Sequence, residues 1–129
     1  MTSEQIKVGL RFEISYAHWL PRHGGKCKNL HGHNGICEIV FKQSINYLDD
    51  GMVMDFSLMK NRFAAEIKNR LDHKYLNECF DWRPTAENTV IFIKNELKAM
   101  LNCKGTDHVK LHKVKFWEDR DSYAEWEDK

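Results

Sequence analysis

Residues 6 to 18 alternate with unusual regularity. Ile6, Val8, Leu10, Phe12, Ile14 and Tyr16 share one parity, with mostly polar or small residues between them. Such alternation predicts a half-buried β-strand, because successive side chains on a strand point to opposite faces. His18 is the next member of that parity, so an unbulged strand aims it where the apolar residues go. The stretch Pro21-Arg22-His23-Gly24-Gly25-Lys26 is too polar for a core and too rich in glycine for an element, and reads as a loop. A second strand is predicted from about His31 to Ile45. His31, His33, Cys37, Ile39 and Phe41 lie on one parity there, with Ile36 and Val40 on the other.

Tyr47-Leu48-Asp49-Asp50-Gly51 carries an Asp-Gly turn signal. A helix then opens after Met52-Val53-Met54, with Asp55 or Ser57 as its N-cap. Phe56, Met59, Phe63, Ile67 and Leu71 recur at three and four, one apolar stripe on a charged helix that stops near Asp72-His73. Pro84-Thr85 opens a second helix with Val90, Ile93, Leu97 and Leu101 as its buried stripe, and Lys104-Gly105-Thr106-Asp107 ends it. Val109 and Leu111 then lie on one parity of a strand and Val114 and Phe116 on the other, which predicts a bulge. A turn over Asp119 to Ser122 leads into a short closing strand, Ser122 to Trp126. The order β-β-α-α-β-β predicts a single α+β domain over residues 1–129, an antiparallel four-stranded sheet with both helices on one face. Open edges and a helix-free face with some apolar residues predict self-assembly, edge to edge, in a ring.

Composition narrows the classes without choosing among them. The 129-residue chain carries a net charge of +1, which offers no broad footprint for nucleic acid or an anionic membrane. Its apolar runs are short and broken by charge, so no membrane span is expected, and no signal-peptide pattern opens the chain. The four cysteines show no CxxC pairing, and a domain of this size needs no disulfide staples. A reducing, cytoplasmic compartment is the expectation.

The chemistry gathers around Lys26-Cys27-Lys28-Asn29-Leu30-His31-Gly32-His33. His31 and His33 point to one face of a strand, and His18 can meet them across the hairpin. Three imidazoles leave a fourth tetrahedral position open, as catalytic zinc sites do. Against this stands the plainer reading that an HxH pair falls by chance on a solvated strand. Lysines on both sides of Cys27 favour its thiolate, while Cys37, Cys79 and Cys103 read as buried and inert. Asp72 and His73 offer either a proton relay or a simple helix cap. Glu118 can pair bidentately with an N–C–NH2 edge, or be one solvated charge among Asp119, Arg120 and Asp121. Arg22, His23, Lys26 and Lys28 can hold phosphates or only solvate a loop.

Taken in series, Ala17-His18, Cys27-x-x-Leu30-His31-Gly32-His33, Gly51-Met52-Val53-Met54-Asp55-Phe56, Leu71-Asp72-His73-x-Tyr75-Leu76-Asn77, Pro84-Thr85-x-Glu87-Asn88 and Trp117-Glu118 resemble the 6-pyruvoyltetrahydropterin synthase / 6-carboxytetrahydropterin synthase family over essentially the whole chain. The resemblance implies a tunnelling fold (T-fold), in which trimers close a β-barrel and two trimers stack into a homohexamer with sites between subunits. It implies zinc (Zn2+) held by His18, His31 and His33, Cys27 as catalytic base or acid, Asp72 and His73 as its relay, and Glu118 as anchor of the pterin ring. The implied substrate is 7,8-dihydroneopterin triphosphate. Three residues between Cys27 and His31 look like the branch that makes 6-carboxytetrahydropterin for queuosine-type 7-deazaguanines, releasing acetaldehyde and triphosphate. Lys28 after Cys27, where a folate-feeding dual form would carry Glu, gives no sign of that form. A 6-pyruvoyltetrahydropterin product and a non-catalytic pterin- or metal-binding oligomer are the alternatives. Tyr16, where a small residue is common, and Asp119, where Thr is usual, depart from the family pattern.

Overall fold

In the computed structural model, which describes residues 4–20, 29–101 and 106–129, the first two strands pair over their whole length. β1 (Gln5–His18) runs antiparallel to β2 (His31–Ser44), from Gln5 opposite Ser44 to His18 opposite His31. Beyond β2 the chain reverses at Asp50 and Gly51, both in the left-handed region (φ 53° and 77°), while Asp49 and Met52 exchange two backbone hydrogen bonds of 3.0 Å. Two consecutive positive φ values make this the I′ geometry that Asp-Gly favours.

Helix α1 (56–71) starts at Asp55, whose carboxylate accepts from the Ser57 amide at 2.7 Å. Its middle, Met59–Ala64, is π-helical, between α-helical Phe56–Leu58 and Ala65–Leu71. The apolar stripe explains the irregularity. Met59, Phe63, Ile67 and Leu71 are spaced by a constant four residues and all are buried. On a regular α-helix that spacing drifts by about 40° per step; the wider π turn takes up the drift and keeps the stripe on the sheet. Phe56, expected in the stripe, is 58% exposed at the helix's first position.

The expected four-stranded antiparallel sheet has a fifth, parallel strand. β3 (Lys74–Tyr75) pairs with the outer edge of β1 at Tyr16 and Ala17. Two residues give no alternation to read, so only the tertiary contact reveals the strand. A single turn, α2 (Leu76–Cys79), follows, and Cys79 on it is exposed rather than buried as expected. Helix α3 (Ala86–Met100) is capped by Thr85, whose hydroxyl accepts from the Asn88 amide at 3.1 Å. It buries Val90, Ile93 and Leu97, with Leu101 partly covered just beyond its end.

β4 (Lys110–Trp117) pairs with β2, and β5 (Tyr123–Glu127) closes the sheet in the order β3-β1-β2-β4-β5. The predicted bulge is present: Val40 faces Lys113 and Phe41 faces Leu111, which leaves His112 as the extra residue. Both long helices pack on one face. There Ile14, Ile39, Phe41, Val114 and Phe116 meet Met59, Phe63, Ile67, Ile93 and Leu97 in one core, with the Phe41 and Phe63 rings 5.2 Å apart. Each such side chain contributes about 1.5–3 kcal/mol on burial. Gly35 is required at the crossing of β2 and β4: a Cβ there would stand 2.9 Å from the Trp117 carbonyl oxygen and 3.0 Å from the Phe116 ring. The helix-free face is mostly charged, with Arg11 paired to Glu38 at 3.8 Å and Lys113 to Glu125 at 3.6 Å. Among the described residues no helix is long and apolar enough to cross a membrane.

Candidate metal centre and active site

Antiparallel register places His18 and His31 directly opposite each other, and period two brings His33 to the same face. The His18 Nε2 lies 3.0 Å from the His31 Nε2 and 3.1 Å from the His33 Nε2, and the three ligand atoms all fall within 4.8 Å of one another. Backbone carbonyls fix two of the rings. The His18 Nδ1–H donates to the Pro84 oxygen at 2.7 Å, and the His31 Nδ1–H to the Asn29 oxygen at 2.7 Å. With the protons on Nδ1, both Nε2 lone pairs point inward at each other, an arrangement that a cation relieves. Burial pushes the fully enclosed His18 imidazole below its ordinary 6.5, against the opposite pull of the Pro84 carbonyl and Glu118, so it is neutral and ready to ligate. Ligand atoms on a tetrahedron of zinc–nitrogen bonds stand about 3.3 Å apart. The cluster fits a metal ion.

Tyr16, opposite His33 in the register, walls this group. Its ring lies 5.2 Å from that of His18, 5.4 Å from that of His33 and 5.5 Å from that of Phe116, and burial pushes its hydroxyl pKa up strongly. The residue that departs from the family pattern is therefore a packed, protonated support. Two further supports escaped the sequence reading. The Asn77 side chain accepts from the Trp19 amide and donates to the Trp19 carbonyl, both at 2.9 Å, extending the β3–β1 pairing one step past His18. Pro84 supplies a carbonyl because it precedes the cap of α3, where the helix makes no claim on its oxygen. An Asn one turn after an Asp-His helix end was the available signal for the first; the second had none.

Glu118 follows β4 and reaches the cluster, its Oε1 3.3 Å from the His18 Nε2 and 3.7 Å from the His33 Nε2. It also lines a cavity of about 480 Å³ between α3 and β5, with Glu87, Val90, Ser122, Tyr123 and Trp126. The neighbouring Asp119 has a local task. Its Oδ1 accepts from the Asp121 and Ser122 amides, both at 2.9 Å, and the Glu118 amide closes the turn on the Ser122 carbonyl at 3.0 Å.

Asp72 and His73 pair with each other, the His73 Nδ1 lying 3.0 Å from an Asp72 oxygen, on the outer edge of β1. The other Asp72 oxygen accepts from the Ser15 amide at 2.8 Å, and the His73 amide donates to the Ser15 carbonyl. Partial desolvation pushes the Asp72 carboxyl up, but the Ser15 amide and His73 outweigh it and hold it below the ordinary 3.8. His73 takes left-handed backbone (φ 58°), uncommon outside glycine, and its side chain is 81% exposed. The structure thus joins His18, His31, His33 and Glu118 at one place and keeps Asp72–His73 as a separate, solvent-facing pair. Cys27, Cys103 and the loop residues Arg22, His23, Lys26 and Lys28 lie outside the described residues. Cys37 is buried in β2, where burial pushes its thiol far up, so it is inert as expected.

The sequence and the fold are similar to those of known proteins. The family described as 6-pyruvoyl tetrahydropterin synthase matches residues 7–129. The chain belongs to this family. A 6-carboxy-5,6,7,8-tetrahydropterin synthase of Synechocystis sp. is 37% identical over 97 residues, covering 67% of this chain and 70% of that protein. The Haemophilus influenzae protein of the same name is 25% identical over an alignment of 146 residues, covering 95% and 99%. The structure of Caenorhabditis elegans 6-pyruvoyl tetrahydropterin synthase superposes with a TM-score of 0.80 at 21% identity, covering 98% of this chain and 97% of that one. The α+β, T-fold-like architecture of this family member is thereby shown, and membership supports a lyase-type enzymatic activity on pterins.

Proposed function

We propose that the protein converts 7,8-dihydroneopterin triphosphate and water to 6-carboxy-5,6,7,8-tetrahydropterin, acetaldehyde and triphosphate, on a route to queuosine-type 7-deazaguanines. The observation that carries the metal-dependent part is the clustering of His18, His31 and His33, whose ligand atoms lie within 4.8 Å of one another. The choice of branch is supported by the short Cys27-to-His31 spacing and by the names of the Synechocystis and Haemophilus relatives. Zinc, when bound by the three histidines, polarises the hydroxyls of the substrate side chain and acidifies the neighbouring C–H bonds. Cys27 takes and returns the proton, Asp72 orients His73 as the partner that relays it, and Glu118 accepts hydrogen bonds from the pterin's N–C–NH2 edge.

The exposed His73 on an edge strand leaves room for another chain to close over the pair. The family resemblance supports an oligomeric working unit, a hexamer of two stacked trimers with sites between subunits. The test is incubation of zinc-loaded protein with dihydroneopterin triphosphate while acetaldehyde and the pterin product are followed together. Acetaldehyde with 6-carboxytetrahydropterin is the expected result, abolished in Cys27→Ala with zinc retained. Loss of triphosphate without acetaldehyde moves the reaction to the pyruvoyl branch, and bound pterin without turnover overturns the enzymatic reading.

A further inference from the structure

Glu118 stands in two places at once. Its Oε1 is 3.3 Å from the His18 Nε2 and 3.7 Å from the His33 Nε2, yet the residue also lines the cavity beside α3 and β5. The Pro84 carbonyl holds the His18 proton on Nδ1, so the nitrogen that faces Glu118 presents a lone pair. A carboxylate oxygen set against an imidazole lone pair is repulsive unless a cation lies between them. The 3.3 Å separation matches the edge of a tetrahedron built on metal bonds to nitrogen and carboxylate oxygen, which is also about 3.3 Å. The backbone beneath the side chain is fixed, because the Glu118 amide is tied to Ser122 and Asp119 clamps the same turn. Only the side chain, 24% exposed, is left to move.

We propose that Glu118 alternates between the metal and the pterin: without substrate its carboxylate binds the metal from the His18–His33 side, and an entering pterin draws it into the cavity and opens that coordination position. The inference rests on the metal-dependent pterin reading and deepens it, because one residue then couples pterin recognition to exposure of the metal. A metal kept covered until substrate arrives is also kept from activating water in the empty site.

Cobalt(II) tests this without reference to turnover, since its visible bands report coordination number and ligand type. Metal-free wild type, Glu118→Gln, Glu118→Ala and His31→Ala are each titrated with Co2+ at matched pH. Glu118→Ala and Glu118→Gln should bind Co2+ about tenfold or more weakly, with bands altered as water replaces the carboxylate. Saturating wild type with 7,8-dihydroneopterin should shift its bands, while the two Glu118 variants already lack the carboxylate-bound spectrum. Bands and affinity in both Glu118 variants equal to wild type would overturn the alternation, and loss of Co2+ in His31→Ala alone would leave the metal reading standing. Wild type that takes up no Co2+ would overturn both.

Discussion

The histidine cluster and the Asp72–His73 pair both fasten to β1, at His18 and at Ser15 three positions before it, and are built by opposite means. His18 is buried, its proton fixed by a backbone carbonyl, its ring walled by Tyr16, and its partners delivered by the register of a fourteen-residue strand pair. His73 is 81% exposed, held by a two-residue strand, one carboxylate and a left-handed backbone angle. The first site is complete within one chain. The second is open to solvent, so the function proposed above makes metal binding a property of the fold and proton transfer a property of the assembly.

Removing a ligand tests the closed half and should give the largest effect. His31→Ala should fold, by circular dichroism, and lose stoichiometric zinc on equilibrium dialysis, with affinity down by about a hundredfold or more. Full zinc retention would mean that the cluster is not the site. His73→Ala tests the open half: zinc content should stay at the wild-type level while turnover falls by about 10²–10⁴. Mixing the two inactive variants under conditions that exchange subunits sharpens the contrast. Recovered activity, which neither has alone, is expected if relay and metal come from different chains; none would place both in one chain.

The closed half was legible in the sequence, while the open half was named only as a pair that could be a relay or a helix cap, for a physical reason. Alternation is a local signal, and Ile6 to Tyr16 carries it so regularly that the side on which His18 falls follows directly. Parity likewise revealed the bulge at His112, and cap chemistry revealed Asp55 and Thr85. What went unread depends on contacts between distant segments. β3 exists because Asp72 and His73 bond to Ser15, Asn77 acts by gripping Trp19, and the π segment of α1 is set by the sheet beneath it. Glu118 fell between: its residue type announced recognition of a polar edge, but only the fold brings it against His18.

Gly35 joins the closed site to the packing behind it. Gly35→Ala forces β2 from the Trp117 carbonyl and the Phe116 ring, next to the strand end that carries Glu118. Overpacking of this kind costs about 1–3 kcal/mol, to be read as a lowered midpoint in urea with unchanged slope. The loss should appear without zinc as well as with it, since the clash is between strands. A variant as stable as wild type would show that the strands separate freely there.

The smallest effect belongs to the open pair, and its sign follows from the direction of the Asp72 shift. Partial burial opposes ionisation, but the Ser15 amide and His73 favour it, so the folded carboxyl titrates below the ordinary 3.8. The unfolded chain therefore binds this proton first as pH falls, and the folded state loses stability between the two values. Asp72 should contribute its full share above 3.8 and progressively less as the pH drops through its lower folded value. Asp72→Asn removes the titration, so the stability difference between wild type and variant, measured by urea unfolding, should shrink on acidification. The contribution is modest, because the carboxylate is 23% exposed and its partner His73 faces water. A difference that stayed constant down to the acid limit would show that Asp72 is not held below its ordinary value, and that the pair is no better prepared in one chain than an ordinary helix end.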